Sequence, residues 1–336
     1  MNTLPHPAPA QRALPPRGLE SPDQHHLHAH LPCQHDAAVT AMAVEFVATD
    51  GAPLHGHWFV PEHGPARAIA ILAPATGVPQ RYYHPFARWL AARGYAVLTF
   101  DYRGMGRTRG LYPRASMRQW LRHDLSGALQ SALARRTQGG AAVPLLWFGH
   151  SLGGNGLPLV QGLDQLDAVV TVGSQFGYWK LWPRGWHRNV TRFFFGTWIP
   201  LCVRLTGKLP GWALGGGETL PREAAMDWSR WGMSQHYYLD DPHCAPWYQP
   251  QAFRGHMQLW SIEDDKTYAP PDAVNALAQC FADSAGQVER LHLHPHSVGM
   301  RQLGHFGPFR RSGAPRLWPL LLQHIEARVP ALAADR

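Results

Sequence analysis

Acidic side chains are scarce in this sequence. Its 336 residues hold 23 Asp and Glu against 31 Lys and Arg, and no acid at all lies between Asp167 and Glu218. Charged residues make up only 16% of the chain, beside a hydrophobic share of 45%. That share is ordinary for a globular protein and provides ample material for a core. Cysteine is scarce too. Cys33, Cys202, Cys244 and Cys280 lie far apart and none forms a C-x-x-C pair, which argues against a disulfide scaffold and against zinc-finger spacing. Free thiols in a reducing cytosol are the simplest reading, so the expected location is cytoplasmic. Long apolar runs are missing. The longest, Phe193 to Val203, falls short of the roughly 20 residues a bilayer span needs. The N-terminus is broken by prolines and has no signal-peptide h-region. No internal repeat is found.

Other residues are abundant. There are 30 prolines, 14 tryptophans and 21 histidines, and the net charge is +8. A basic balance turns attention to nucleic acid, anionic lipid or acidic small molecules. No stretch resembles a recognition helix or an aromatic-basic sheet motif, so nucleic acid is not an expected partner. Residues 1–37, rich in Pro, His and Ala, read as a disordered tail. Within it, His25, His26, His28, His30, Cys33 and His35 lack helical or finger-like ligand spacing, and no metal site is expected there.

Beyond the tail, apolar strands alternate with helical patterns. Val39 to Val60 alternates around the turn signal Asp50-Gly51 and reads as a hairpin. Strands are expected at Ala68–Pro74, Tyr95–Phe100, Pro144–Phe148, Ala168–Val172, Met257–Ile262 and Val288–Leu293. Helices are expected at residues 83–93, 116–136, 151–163, 271–281 and 315–327. Such alternation predicts an α/β fold with a mostly parallel central sheet and helices on both faces. Residues 175–251 break the rhythm and hold eight of the fourteen tryptophans. They read as a Trp-rich cap inserted into a core formed by residues 38–174 and 252–336.

One segment carries chemistry. Leu145 to Gly156, LLWFGHSLGGNG, sets an apolar strand before Gly149-His150-Ser151-Leu152-Gly153, with a helix to follow. This is G-x-S-x-G in the strand–turn–helix context of a nucleophile elbow. Ser151 is the expected nucleophile. Gly149 and Gly153 are needed because a side chain at either would collide with the tight turn. The helix N-terminus offers unpaired N–H groups, so the Leu152 amide is an oxyanion donor candidate. A second donor is expected from the loop after strand Ala68–Pro74, at Thr76 or Gly77.

A serine nucleophile needs a base, and the base an orienting carboxylate, in the chain order Ser…Asp/Glu…His. The late histidines are His292, His294, His296, His305 and His324. Of these, His305 sits on a glycine-flanked loop between the last strand and the last helix, and it is the expected base, with His296 in reserve. The carboxylate is expected just after strand Met257–Ile262, at Asp264 or Asp265. The two are not separable by sequence, and the other is left as an exposed helper or a loop hydrogen-bonder. Asp101 to Gly106, DYRGMG, reads as a structural turn under the site.

These motifs resemble the α/β-hydrolase superfamily, with FDYRGMGRTRG and FGHSLGG as its signposts and a late Asp and His completing the set. The resemblance covers roughly residues 40–330. A closer likeness is to a bacterial group of α/β hydrolases, in GETLPREAAMDWSRW (Gly217 to Trp231), SIEDDKTYAPPDAV and GHFGPFR (Gly304 to Arg310). That group is similar to serine esterases and aminopeptidase-like hydrolases. The resemblance implies a Ser-Asp-His hydrolase and supplies no substrate. The leading reading is cleavage of a carboxylic ester or thioester without a cofactor, with an amidase, aminopeptidase or acyltransferase using the same triad as the rivals and a non-catalytic hydrolase-like binding protein ranked below them. Where many lipases show a His-Gly pair in the oxyanion loop, this chain has Ala75-Thr76-Gly77.

The acid-free stretch carries Lys180, Arg184, Arg188, Arg192, Arg204 and Lys208 among aromatics. One reading is a patch for an anionic amphiphile or a membrane surface, the partner beyond a small-molecule substrate. The other is a cap whose tryptophans form their own small core with the cations on the wet face.

Overall fold

The computed structural model describes residues 17–18, 38–139 and 142–333. The sheet strands are β1 (Arg17–Gly18), β2 (Val39–Val47), β3 (Pro53–Pro61), β4 (Ala68–Ala73), β5 (Tyr95–Phe100), β6 (Leu145–His150), β7 (Ala168–Val172), β8 (His256–Ile262) and β9 (Gln287–Leu293). Their order is β1-β9-β8-β7-β6-β4-β5-β3-β2. Every pairing from β1 to β5 is parallel; β3 lies antiparallel to both β5 and β2. This is the α/β-hydrolase fold. The hairpin turns at Asp50-Gly51, where Gly51 takes φ +85°.

The helices are α1 (His84–Ala91), α2 (Met117–Gln119), α3 (Leu125–Gln138), α4 (Leu152–Asn155), α5 (Trp186–Phe193), α6 (Ile199–Thr206), α7 (Arg222–Met233), α8 (Pro271–Gln279), α9 (Leu317–Glu326) and α10 (Pro330–Ala333). The central strands β4, β5 and β6 are buried along their whole length, as their unbroken apolar sequences require in a sheet covered on both sides. Successive side chains part to opposite faces. Ile69, Ile71, Leu98 and Trp147 join Leu125, Leu129 and Leu277 in one core layer. Ala70, Leu72, Val97 and Phe148 join Phe86, Leu90, Leu321 and Ile325 in the other.

Three expectations are corrected. Arg17–Gly18, inside the segment read as a tail, pairs with Leu291 and His292 of β9; the cluster His25 to His35, with Cys33, lies outside the described residues. The helix expected over 151–163 stops at Asn155. Gly153, Gly154 and Gly156 weaken its start, and Pro158, which has no N–H, continues it only as a short 3-10 turn. The helix expected over 116–136 begins under a Ser116–Gln119 capping box and carries a π-turn at Trp120–Asp124 before α3.

Between β7 and β8 the chain carries α5, α6 and α7 and no sheet strand among the described residues. Its aromatics form no separate core. Trp182 and Trp231 are buried, and Phe195, Trp231 and Tyr238 share the core layer of Leu125, Leu129 and Leu277. Trp186 and Trp212 instead face outward, 78% and 69% exposed.

Candidate active site

Strand β6 runs straight into a reversed residue. Ser151 takes φ +51° and ψ −111°, a conformation that costs a non-glycine residue about 1–3 kcal/mol. The surroundings hold it there. The Ser151 amide donates to the Val172 carbonyl at the end of β7, and the Ser151 carbonyl accepts from the amides of Gly154 and Asn155. The Trp147 indole donates to the Gly153 carbonyl at 2.9 Å, clamping α4 to the strand before it. Both expected glycines are sterically required. A Cβ on Gly153 would stand 2.1 Å from the Ala73 carbonyl oxygen, and one on Gly149 would stand 2.7 Å from Gly154.

The loop after β9 returns to the same place. His305 is 5% exposed, and its Nδ1–H donates to Asp265 Oδ2 across 2.6 Å. The proton lies on Nδ1 because an ionised carboxylate only accepts. A Cβ on Gly173 would lie 3.0 Å from the His305 ring. Gly173 directly follows Val172, the acceptor of the Ser151 amide, so serine and histidine are both held at the same end of β7. The second oxygen of Asp265 accepts from the amides of Tyr268 and Ala269, and the Tyr268 ring stacks on His305 with centroids 4.8 Å apart.

Asp264 and Asp265 do different work. Asp264 accepts the amides of Leu303 and Gly304, at 2.8 and 2.9 Å, and so ties down the loop that carries His305. It is the loop hydrogen-bonder of the pair. The other late histidines are elsewhere. His292 faces Ser261 Oγ at 2.8 Å, His294 pairs with Glu263, His324 packs on Trp260, and His296 is exposed.

On the opposite side, the Ala75-Thr76-Gly77 loop follows β4. The Ala75 amide is already used: it donates to Tyr83 Oη at 2.9 Å. The Gly77 carbonyl accepts the Glu218 amide. The amides of Leu152, Thr76 and Gly77 have no protein acceptor among the described residues.

A directional chain of bonds joins these parts, and sequence reasoning missed it. His150 Nε2 faces the His305 carbonyl at 3.0 Å, and its Nδ1 faces Tyr83 Oη at 2.8 Å. A carbonyl can only accept, so Nε2 carries the proton and Nδ1 accepts from the tyrosine hydroxyl. Ala75 N–H, Tyr83, His150 and the His305 carbonyl thus form one relay from the oxyanion loop to the histidine loop. Full burial, with His305 beside it, holds the His150 pKa well below that of a free imidazole. Tyr82 adds a second tie, donating to the Phe306 carbonyl at 2.5 Å. Only the tyrosine pair in QRYY hinted at this.

The DYRGMG turn is structural, as expected. Arg103, 2% exposed, donates through Nε to Asp124 at 2.7 Å and through both terminal nitrogens to Asp50 at 2.6 Å. Burial pushes Asp124 up to about 6 even with the guanidinium beside it. Glu218 ends the acid-free stretch and is buried. It accepts from the Gly106 amide at 2.8 Å and pairs with Arg109 at 2.7 Å. No group of three or more potential metal ligands occurs among the described residues, and none of their helices is long and apolar enough to cross a membrane.

The sheet order and the elbow at the end of β6 define the class: a hydrolase of the α/β-hydrolase superfamily. Residues 64–259, more than half the chain, match the family described as serine aminopeptidase, S33, and the chain belongs to that family. Among curated proteins it is similar to uncharacterized protein YfhR of Escherichia coli strain K12, 34% identical over 137 residues, 40% of this chain and 46% of that protein. The YfhR protein of Salmonella typhimurium is 31% identical over 121 residues, 34% of this chain and 38% of that one. These matches thus span less than half of the relatives' length. Solved structures share the fold. A soluble variant of monoglyceride lipase from Saccharomyces cerevisiae superposes with a TM-score of 0.58 at 15% identity, over 89% of this chain and 99% of that one. An esterase from Thermogutta terrifontis gives 0.53 at 14%, over 86% and 99%. The acylaminoacyl peptidase of Pyrococcus horikoshii gives 0.53 at 13%, over 87% of this chain and 42% of that one.

Proposed function

We propose that the protein cleaves a carboxylic ester or thioester through an acyl-enzyme on Ser151. The observation that carries this reading is the buried 2.6 Å bond from His305 Nδ1 to Asp265, made beside Gly173 and next to the strained Ser151. That bond leaves His305 Nε2 to take the serine proton as Ser151 Oγ attacks the carbonyl. Negative charge develops on the substrate oxygen, where the amides of Leu152 and of Thr76 or Gly77 are free to donate. Collapse of the tetrahedral intermediate expels the alcohol or thiol, which takes its proton from His305. Water, deprotonated by the same imidazole, then releases the acid and restores Ser151. No cofactor is required at any step. We read residues 175–251 as the cap of this site. Leu214 would be 3.3 Å from a Cβ on Gly77, which supports a role in shaping the substrate chamber.

The rival reading is an aminopeptidase. That activity needs a carboxylate to hold the substrate ammonium. Asp264 and Glu218, which adjoin the acid–base pair and the oxyanion loop, are already committed to backbone amides and, for Glu218, to Arg109. The ester reading is therefore favoured. A fluorophosphonate probe tests the shared chemistry. Wild type is expected to label, and Ser151→Ala and His305→Ala are not. Labelling that persists in Ser151→Ala would sink the assignment. Turnover of aminoacyl amides above that of acyl esters of equal length would favour the rival.

A further inference from the structure

Residues 186–206 form one long helical segment: α5, a π-turn at Phe194–Trp198, and α6. It is about 30 Å long at 1.5 Å per residue. Pro200 lies just after the π-turn and has no N–H for the preceding turn, a usual cause of such an irregularity. One face is buried: Thr191, Phe195, Ile199, Cys202 and Val203 point inward, and Phe195 packs on Trp228 of α7 with ring centroids 5.5 Å apart.

The opposite face also carries large apolar side chains, and among the described residues they remain exposed. Trp186, Val190 and Phe193, at helical spacing, are 78%, 38% and 53% exposed; Leu201 and Leu205 are 44% and 74% exposed. The Trp198 ring joins the two halves, 6.5 Å from Phe193 and 6.1 Å from Trp212. A soluble surface rarely carries an apolar stripe of this length without a partner.

The surrounding charge identifies the partner. Lys180, Arg184, Arg192, Arg204 and Lys208 are exposed, none is paired with a carboxylate among the described residues, and the stretch has no acid. A second copy docking face to face through a two-fold axis would bring these cations against their own equivalents. An acidic, lipid-covered surface satisfies both halves of the pattern, taking the aromatics into the headgroup boundary and the cations against phosphates. We propose that the 186–206 segment, with Trp212, docks this protein on anionic phospholipid bilayers.

The docking face is continuous with the candidate site. Trp198 Nε1 donates to the Ala213 carbonyl, and the same loop places Leu214 against Gly77 and Gly215 near the Tyr268 hydroxyl. A lipid-derived ester would therefore enter from the bound surface. The docking itself stands independently of the hydrolase reading.

Vesicle flotation of the full chain tests it, with phosphatidylcholine vesicles and with vesicles containing about 30% phosphatidylserine. Wild type should float with the anionic vesicles at least about tenfold more than with neutral ones, and lose that binding in high salt. Trp186→Ser/Phe193→Ser/Leu205→Ser should lose it about tenfold, and so should Arg192→Glu/Arg204→Glu/Lys208→Glu. Both variants should keep the wild-type melting temperature and turnover of a short soluble ester. Ser151→Ala should float like wild type, so failed probe labelling with intact flotation would strike the hydrolase reading alone. No flotation of wild type, or flotation unchanged in the apolar variant, would overturn the proposal. A dimer in light scattering that the apolar variant abolishes, without vesicle binding, would assign the face to a second copy instead.

Discussion

Asp264 and Asp265 are chemically identical neighbours, yet one accepts backbone amides and the other an imidazole. Their substitutions should therefore separate. In Asp265→Asn, the side-chain oxygen can still accept the Tyr268 and Ala269 amides, while the new NH2 faces His305 and forces its proton onto Nε2. On the proposed mechanism the base is then blocked, and kcat should fall on the order of 10⁴-fold, with the melting temperature nearly unchanged. Asp264→Ala instead leaves the amides of Leu303 and Gly304 without their acceptor. It should destabilise the fold by about 1–3 kcal/mol and lower kcat far less. Ester hydrolysis and thermal unfolding on the two variants check this; a reversed order would exchange their roles.

At the scale of the element, the elbow depends on β4, β6 and α4 approaching without side chains between them. A Cβ on Gly153 meets backbone rather than a movable side chain, since the Ala73 carbonyl lies in the centre of the sheet. Gly153→Ala is expected to cost about 3 kcal/mol or more and to abolish probe labelling, because relief of the clash must shift α4 and the Leu152 amide with it. A denaturation midpoint within error of wild type would show that the turn is looser than its geometry.

At the scale of the whole molecule, buried histidines should make the fold acid-sensitive. Burial holds His150 well below the free imidazole value and lowers His84 to about 4. Below about pH 6.5 the unfolded chain takes up protons that these folded histidines refuse. Stability contributed by their neutral forms is thus complete above pH 6.5 and is lost as pH falls towards their folded values, at up to about 1.4 kcal/mol per pH unit for His150. In His150→Gln, the amide can still donate to the His305 carbonyl and accept from Tyr83 but does not titrate. Urea unfolding between pH 7 and pH 4.5 should give this variant a shallower loss than wild type. Parallel slopes would mean that His150 does not govern the effect.

The strands and the elbow were legible in the sequence because their signals are local. A strand buried on both faces must be continuously apolar, as AIAILA and YAVLTF are, and a reversed turn must have glycines around its serine. The His305 loop was readable from chain order and its flanking glycines. The tertiary structure alone decided what depends on distant segments meeting. It set Asp265 rather than Asp264 against His305, a contact across 40 residues, and it built the Tyr83–His150–His305 relay from a 3-10 turn, the end of β6 and the loop after β9. It ended the helix after Ser151 early, and it merged the inserted tryptophans into the main core while leaving Trp186 and Trp212 outside. Composition counts aromatics and cations, but only packing determines which of them face water.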